Sequence, residues 1–477
     1  MIPVLPGQAQ GRVHLLGICG TGMASLAGML MEKGYRVSGS DQNAYPPMSD
    51  MLASLGIAVH SPYRPENLAS DLDLVVVGNA ISRGNPELEE VLDRGLSIVS
   101  MPAILKELFL RGHRSVVVAG THGKTTTASL LTWVLKSAKR DPSFLVGGIP
   151  LNLGKSYGFG EGECFVIEGD EYDTAYFDKG PKFLHYVPDT VVLGNVEYDH
   201  ADIYPDLDSV TTAFRRLVNL IPRRGLLLAG AASSLALESG KAAFCRVESF
   251  AVAGAVDVTA DWQARVVRVD ESGSRFEVWR DGAQYGEVAG PFWGEAALSN
   301  ALAVVATSHH LGLSVEEIAA GLRSFQGVAR RLEVRGEARG VTVVDDFAHH
   351  PTAIRETIRS ARLRWPNRKQ WAVFEPRSFT ARSQVFQKAF AAALGEADAV
   401  VLAAVFSSSR LPADKELSEE RVIEELRDRG TAAWFIPEVK EIVSFLNEGL
   451  SAGDVVLGMS NGGFGGFHPK LLESLGN

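Results

Sequence analysis

The run Gly120-Thr121-His122-Gly123-Lys124-Thr125-Thr126-Thr127 carries the residue types that handle phosphate. Its glycines let a backbone turn tightly and come close to phosphate oxygens. A lysine after the second glycine can reach β- and γ-phosphates, and the next hydroxyl can take Mg²⁺. The spacing is short: only Thr121 and His122 separate Gly120 from Gly123, fewer than in the general phosphate-binding loop. An ordinary strand-to-helix turn that happens to hold Gly-Lys-Thr is the plain alternative, so context must decide.

Two acidic stretches follow the loop. Glu168-Gly169-Asp170-Glu171-Tyr172-Asp173 comes after Phe165-Val166-Ile167, and Gly194-Asn195-Val196-Glu197-Tyr198-Asp199-His200 comes after Thr190-Val191-Val192-Leu193. Carboxylate oxygens suit Mg²⁺, which keeps water and substrate phosphate as its other ligands. One acidic loop after a strand is usually just solvated. Two of them beside a phosphate loop favour a metal-assisted site. His309-His310 adjoins Leu311-Gly312 and reads as a helix C-terminus without a site.

These residues need strands and helices to hold them. Val116 to Ala119 is a buried strand, and Ala128 to Lys136 has the Leu130, Leu131, Val134 spacing of an amphipathic helix. Strand, glycine loop and helix is the context that phosphate binding requires, since a helix start offers free N–H groups and a positive dipole end. Near the N-terminus, Val13-His14-Leu15-Leu16 opens into Gly17-Ile18-Cys19-Gly20-Thr21-Gly22-Met23, followed by a helix to Glu32 and a strand ending at Ser40-Asp41. This β-α-β unit predicts a nucleotide phosphate on the helix start, although Cys19 stands where a dinucleotide fingerprint has glycine. A further strand, Leu74 to Val77, runs into Gly78-Asn79. From Phe250 to Val288 alternation with turns at Ser272-Gly273 and Asp281-Gly282 predicts antiparallel hairpins. The C-terminal third alternates strands and helices. It places Asp345-Asp346-Phe347-Ala348-His349-His350-Pro351, Glu375-Pro376-Arg377-Ser378 and the glycine loop Met459 to His468 after strands.

At 477 residues about three domains are expected. We divide the chain at residues 1–112, 113–328 and 329–477. With 46% hydrophobic and 22% charged residues the chain is globular. A net charge of −10 argues against nucleic acid as a partner. Cys19, Cys164 and Cys245 are scattered and odd in number, which fits a reducing cytoplasm. No signal-peptide core and no membrane-length apolar run is visible.

In sequence order these motifs resemble the Mur ligase family along nearly the whole chain: the Gly17–Met23 loop, Gly120–Thr127, Glu168, Asn195 with Asp199-His200, Arg330-Arg331, and Asp346-Phe347-Ala348-His349 with Pro351. The shortened phosphate loop is that family's own form. The resemblance implies an α/β chain of three domains. These are a Rossmann-like N-terminal domain that binds a UDP-sugar, a central P-loop ATPase domain with a mostly parallel sheet plus small antiparallel hairpins, and a Rossmann-like C-terminal domain that binds the incoming peptide. It implies ATP-dependent amide formation through an acyl phosphate, with ATP and Mg²⁺ as cofactors.

Residue by residue, the resemblance assigns ATP to Gly120, Thr121, His122, Gly123, Lys124, Thr125, Thr126, Asn300, Arg331 and Asp346. It assigns Mg²⁺ to Thr125, Glu168 and His200, and catalysis to Lys124, His200 and His349. The UDP-sugar falls to Gly17, Cys19, Gly20, Thr21, Gly22, Met23, Ser40, Asp41, Asn79 and His122. The acceptor falls to His349, Arg377, Ser460, Asn461 and Gly462. Where the family carries His-Asn to hold adenine, this chain has Ala296-Ala297 and keeps only Asn300, which implies weaker ATP affinity.

Two acceptors compete within the family, both joined to the lactyl carboxylate of UDP-N-acetylmuramate. One is L-alanine and the other the recycled tripeptide L-alanyl-γ-D-glutamyl-meso-diaminopimelate. Residues 168–179, Lys182-Phe183, His185-Tyr186, Glu375 to Ser378 and the loop from Met459 to His468 resemble the tripeptide users, and the Gln-Pro-His-Arg stretch of the alanine users is missing. The implied partners are small molecules, with no nucleic acid and no membrane, and the chain a monomer or weak homodimer. A nicotinamide oxidoreductase, suggested by the first β-α-β unit, is opposed by Cys19 and the separate phosphate loop. A nucleotide-driven switch would not need two further nucleotide-type domains.

Overall fold

The computed structural model describes residues 11–44, 48–198, 203–254, 259–406 and 416–476. Three main sheets divide these residues, and most apolar runs seen in the sequence become buried strands, whereas the strand Ala432–Phe435 is largely exposed. The first sheet holds β1 (Arg12–Leu16), β2 (Arg36–Ser40), β3 (Ala58–His60), β4 (Leu74–Val77) and β5 (Ile98–Ser100), in the order β3-β2-β1-β4-β5 and parallel throughout. The strand order reverses beside β1, and crevices at such reversals receive ligands. The residues after β1, β2 and β4 line this one: Gly17 to Met23, Asp41 and Asn79.

The second sheet carries β6 (Arg114–Ala119), β7 (Ser143–Leu145), β8 (Tyr157–Gly158), β9 (Cys164–Gly169), β12 (Pro188–Leu193), β13 (Leu226–Gly230), β14 (Arg246–Val252), β15 (Trp262–Asp270), β16 (Gly273–Arg280) and β17 (Ala283–Gly290). A small separate hairpin pairs β10 (Asp173–Ala175) with β11 (Asp178–Pro181). The expectation of hairpins from Phe250 onwards needs correction at its start. Phe250 lies on β14, which runs parallel to both β13 and β15; only β15, β16 and β17 form the antiparallel meander. Alternating apolar residues look the same in a hairpin and at the edge of a parallel sheet, because both bury one face.

The third sheet holds β18 (Glu333–Ala338), β19 (Val341–Asp346), β20 (Gln370–Phe374), β21 (Ala399–Leu402), β22 (Ala432–Phe435) and β23 (Val455–Met459), in the order β18-β19-β23-β20-β21-β22. Only β18, a strand absent from the sequence reading, is antiparallel. Insertion of the last strand, β23, between β19 and β20 sets Asp346, Met459 and Phe374 side by side. That register gathers the three motif loops of the C-terminal third at one edge.

Residues of the first and second sheets' layers pack closely. Ser25 and Ser156 hydroxyls lie 2.8 Å apart, Lys155 pairs with Glu32 at 3.4 Å, and the Tyr157 ring fills the space over Gly28. The third sheet's layer meets the second through the helix Pro351–Arg364: Ser360 Oγ donates to the Trp293 carbonyl at 2.8 Å, and the Arg364 guanidinium stacks 4.3 Å over the Trp293 ring. No helix among the described residues is long and apolar enough to cross a membrane.

Candidate active site

β6 ends at Ala119, whose register partners are Gly169 on β9 and Leu193 on β12. Three strand ends therefore deliver the phosphate loop, the first acidic run and the Asn195 loop to one place. Asn195 pins the loop's first half: its carbonyl accepts from Thr121 N–H and its side-chain oxygen from His122 N–H, both at 2.9 Å. Gly120, at φ 127°, leaves no room for a side chain, since a Cβ would sit 2.9 Å from the Asn195 carbonyl oxygen. The helix Lys124–Ser137 then starts at Gly123 (φ 81°) with no side-chain cap. Its first N–H groups, through Thr126, are left to an anion.

Lys124 and its neighbours form a buried charge cluster. The Lys124 ammonium sits 2.7 Å from Glu171 Oε2 and 3.3 Å from the Thr121 carbonyl oxygen. Burial alone would lower its pKa, but Glu171, Asp170 and Glu168 outweigh that and hold it above the ordinary lysine value. Glu171 is the residue that sequence reading missed: it sat in the acidic run, but nothing local singled it out. Thr125 Oγ1 donates to Glu168 Oε1 at 2.9 Å, and Gly147 N–H to Oε2 at 2.6 Å. Burial, opposed by Lys124, pushes the Glu168 carboxyl above the usual range. The 2.9 Å between the Thr125 and Glu168 oxygens matches the ~2.9 Å cis edge of octahedral Mg²⁺ with bonds near 2.0–2.1 Å. The hard-oxygen pair therefore fits Mg²⁺. His200, expected as the further metal ligand, lies outside the described residues with Asp199.

A second cluster spans two sheets' layers. His122 Nε2 lies 3.4 Å from Glu197 Oε2, which also accepts from Thr352 Oγ1 at 2.9 Å. The His122 and His350 rings are 4.8 Å apart. Burial opposes ionisation of Glu197, but His122 and the Thr352 hydroxyl win and depress its pKa to about 2. Because this lies below the ordinary carboxylate value, its stabilising effect is complete above about pH 4.5 and fades as pH falls towards 2. Glu197→Gln is thus expected to lower the melting temperature at pH 6, and the gap to the native protein should close below pH 4.5. A gap unchanged at pH 3 in calorimetry would show that the charge of Glu197 is not what joins these layers.

Asn300, expected to bind ATP, has its carboxamide against the phosphate loop: a Cβ on Gly123 would lie 2.6 Å from Asn300 Oδ1. In the first crevice, Cys19 N–H donates to Asp41 Oδ2 at 2.9 Å, and Gly17 (φ 80°) donates to the Ser40 carbonyl at 2.8 Å. Gly20 opens the helix Thr21–Glu32 without a side-chain cap, and Thr21 and Asn79 are exposed there. Three of the residues expected at the UDP-sugar have their side chains turned away from the crevice. The Ser40 side chain is fully buried, bonded to His14 Nε2 at 3.1 Å within a His14–Glu87 network, so it supports the crevice from behind. Met23 and Cys19 are likewise buried.

At the third sheet's edge, Asp346 is buried and accepts from Leu332 N–H (2.7 Å), Ala348 N–H (2.8 Å) and Thr357 Oγ1 (3.2 Å). It fixes the connection into the C-terminal layers, and the ATP contact expected of it would have to add to these bonds. Burial, opposed by Arg331, raises its pKa. Arg331 itself stacks 4.9 Å over Phe347. The buried Ser460 hydroxyl donates to Glu375 Oε2 at 2.5 Å and accepts from Gly462 N–H at 2.9 Å, so it shapes the loop expected at the acceptor. Arg377 lies 3.9 Å over the Phe406 ring, against Gly462. Asn461 is half-buried beside them.

Comparison with known proteins decides what this arrangement is. The chain matches the Mur ligase family catalytic domain over residues 12–113, the Mur ligase middle domain over 118–308 and the Mur ligase glutamate ligase domain over 330–462. It is 40% identical over 97% of its length, and 98% of the relative's, to the UDP-N-acetylmuramate–L-alanyl-gamma-D-glutamyl-meso-2,6-diaminoheptandioate ligase of Escherichia coli K12.

The chain belongs to the Mur ligase family.

It is an ATP-dependent ligase of that family. Among solved structures, the murein peptide ligase of Psychrobacter arcticus matches with a TM-score of 0.74 and 36% identity, covering 98% of this chain and 99% of that one. The UDP-N-acetylmuramate–alanine ligase of Thermotoga maritima matches with a TM-score of 0.81 but 25% identity, covering 97% and 98%. Backbone shape and residue identity thus rank the two kinds of Mur ligase in opposite orders.

Proposed function

We propose that this Mur ligase joins the lactyl carboxylate of UDP-N-acetylmuramate to the amine of L-alanyl-γ-D-glutamyl-meso-diaminopimelate, forming ADP and phosphate, in the recycling of cell-wall peptide within the cytoplasm. The single observation that carries this reading is the 40% identity to the tripeptide ligase over 97% of the chain. Identity outweighs backbone shape here, because acceptor choice depends on side chains at the pocket. The Arg377 guanidinium, resting against Gly462, offers a bidentate donor for a distant carboxylate of a tripeptide.

In this reading the phosphates of ATP lie on the start of the helix Lys124–Ser137, and Lys124 leaves Glu171 to meet them. Thr125 and Glu168 would hold Mg²⁺, which would supply positive charge beside the transferring phosphoryl group. The lactyl carboxylate attacks the γ-phosphorus, ADP departs, and an acyl phosphate results. The acceptor amine then adds to the acyl carbon, and the tetrahedral adduct expels inorganic phosphate. Most of this is positioning and charge stabilisation.

The amine must lose a proton, and the two adjacent histidines differ in how they could take it. His349 Nδ1 lies 3.1 Å from the Phe347 carbonyl oxygen, so Nδ1 carries the hydrogen and Nε2 the lone pair of a base. His350 Nδ1 instead accepts from Thr352 N–H at 3.3 Å, which puts its hydrogen on Nε2. This supports His349 as the base.

The acceptor is tested by supplying purified protein with UDP-N-acetylmuramate, ATP and Mg²⁺, with L-alanine or tripeptide, and following phosphate release and product mass. We expect kcat/KM for the tripeptide to exceed that for L-alanine by about 100-fold or more. Efficient use of L-alanine with no turnover of tripeptide would overturn the recycling reading and leave the biosynthetic one, which the higher TM-score to the alanine ligase favours.

A further inference from the structure

We infer that Arg330 is a positioning residue for the acceptor amine, clasping the Ser460–Gly462 loop to the connection that leads into the third sheet. The inference rests on the reading of that loop as the acceptor's. Arg330 Nη2 donates to the carbonyl oxygens of both Ser460 and Gly462, each at 2.6 Å. Its Nε lies 3.4 Å from Asp345 Oδ1, and its guanidinium sits 5.2 Å from the Phe347 ring centre. The backbone is held equally firmly: Arg330 N–H donates to Glu333 Oε2 and its carbonyl accepts from Phe347 N–H, both at 2.8 Å.

Arg330 and Leu332 hold positive φ, 60° and 47°, around Arg331. Side chains larger than glycine adopt that backbone only where surrounding contacts over-determine it, and such sites cluster where function needs a fixed geometry. Here the strained turn aims one guanidinium at a loop 130 residues away in sequence. The loop cannot shift freely on its other side. Ser460 N–H is bonded to the Asp346 carbonyl at 3.1 Å, and a Cβ on Gly462 would lie 2.3 Å from Arg377 Cδ. Releasing the two carbonyls would therefore move the backbone against which Arg377 rests.

A simple structural staple is the competing explanation. Arg368, bonded to the carbonyls of Gly453 and Asp454 far from the site, is such a staple and serves as the control. Both bonds leave the single nitrogen Nη2, so a lysine ammonium could reach the carbonyls, but it would lose the Nε contact to Asp345 and the planar group beside Phe347 that orient it.

The test compares Arg330→Met, Arg330→Lys and Arg368→Met in steady-state kinetics, using whichever acceptor the native enzyme turns over. Loss of the tripeptide reading thus leaves this test standing. A second readout needs no acceptor: exchange of label between ADP and ATP in the presence of UDP-N-acetylmuramate, which reports acyl-phosphate formation and its reversal. For Arg330→Met we expect acceptor KM to rise about 10-fold or more, with KM for ATP and UDP-N-acetylmuramate and the exchange rate within about 3-fold of native. Arg330→Lys should lie between, at about 3-fold in acceptor KM, and it decides alone if Arg330→Met does not fold. Arg368→Met should melt lower with native acceptor KM. An unchanged acceptor KM in the folded variants, or an exchange rate that falls in step with ligation, overturns the inference.

Discussion

Lys124→Ala is expected to lower ligation by about 10³-fold or more while UDP-N-acetylmuramate still binds. The separation follows from geometry. Lys124 belongs to the phosphate loop after β6, whereas the crevice built from Gly17–Met23 and Asp41 belongs to the first sheet. The effect is large because the transferring phosphoryl group concentrates negative charge where few cations reach. Lys124 is the cation that the phosphate loop itself brings to the acidic run, 2.7 Å from Glu171, whereas Lys182, from beyond that run, pairs with Asp170 at 2.7 Å.

Its removal has a structural cost that must be separated from the catalytic one. Glu171 is buried and Lys124 largely covered, and deleting one partner of such a pair costs up to about 3–5 kcal/mol through the charge left behind. The double variant Lys124→Ala/Glu171→Gln removes that stranded charge. It should recover the melting temperature without recovering ligation. Calorimetric titration with UDP-N-acetylmuramate completes the experiment, and loss of UDP-sugar binding in the well-folded double variant would mean that the division of labour between the first two sheets is wrong.

Glu168→Gln is expected to cost about 10²-fold or more in turnover at any Mg²⁺ concentration. The substitution is nearly isosteric, so the amide oxygen can still accept from Gly147 N–H. What it loses is the negative charge of a carboxylate already raised in pKa by burial and poised 2.9 Å from Thr125 Oγ1. A neutral amide is a weaker Mg²⁺ ligand, and burial prevents water from making up the difference. Mn²⁺ binding followed by its paramagnetic signal gives a readout apart from activity, and the variant should bind more weakly than native protein. Native turnover of Glu168→Gln at saturating Mg²⁺ would remove this residue from the metal site.

The strand–loop–helix at Val116–Lys136 was legible in the sequence because every feature it needs is local: apolar strand, turn glycines, amphipathic helix. The buried parallel strands were legible for the same reason, as continuous apolar runs bounded by polar loops. What the chain could not disclose locally was which distant groups those loops would meet. Glu171 was one carboxylate among several until the β9 end met the phosphate loop and selected it for Lys124. Ser40 looked like a crevice residue, but the β1–β2 pairing turned its hydroxyl towards His14 and Glu87. Asn300 reached Gly123, Thr352 reached Glu197, and Arg330 reached Ser460 and Gly462, each across more than a hundred residues of chain. Periodicity tells which face of an element is buried, and short-range chemistry tells how a loop can turn. Pairing across the fold is decided by sheet order and packing, which depend on the whole chain at once. The sequence therefore determined what kinds of groups the site would use, and the tertiary structure decided which of them work together.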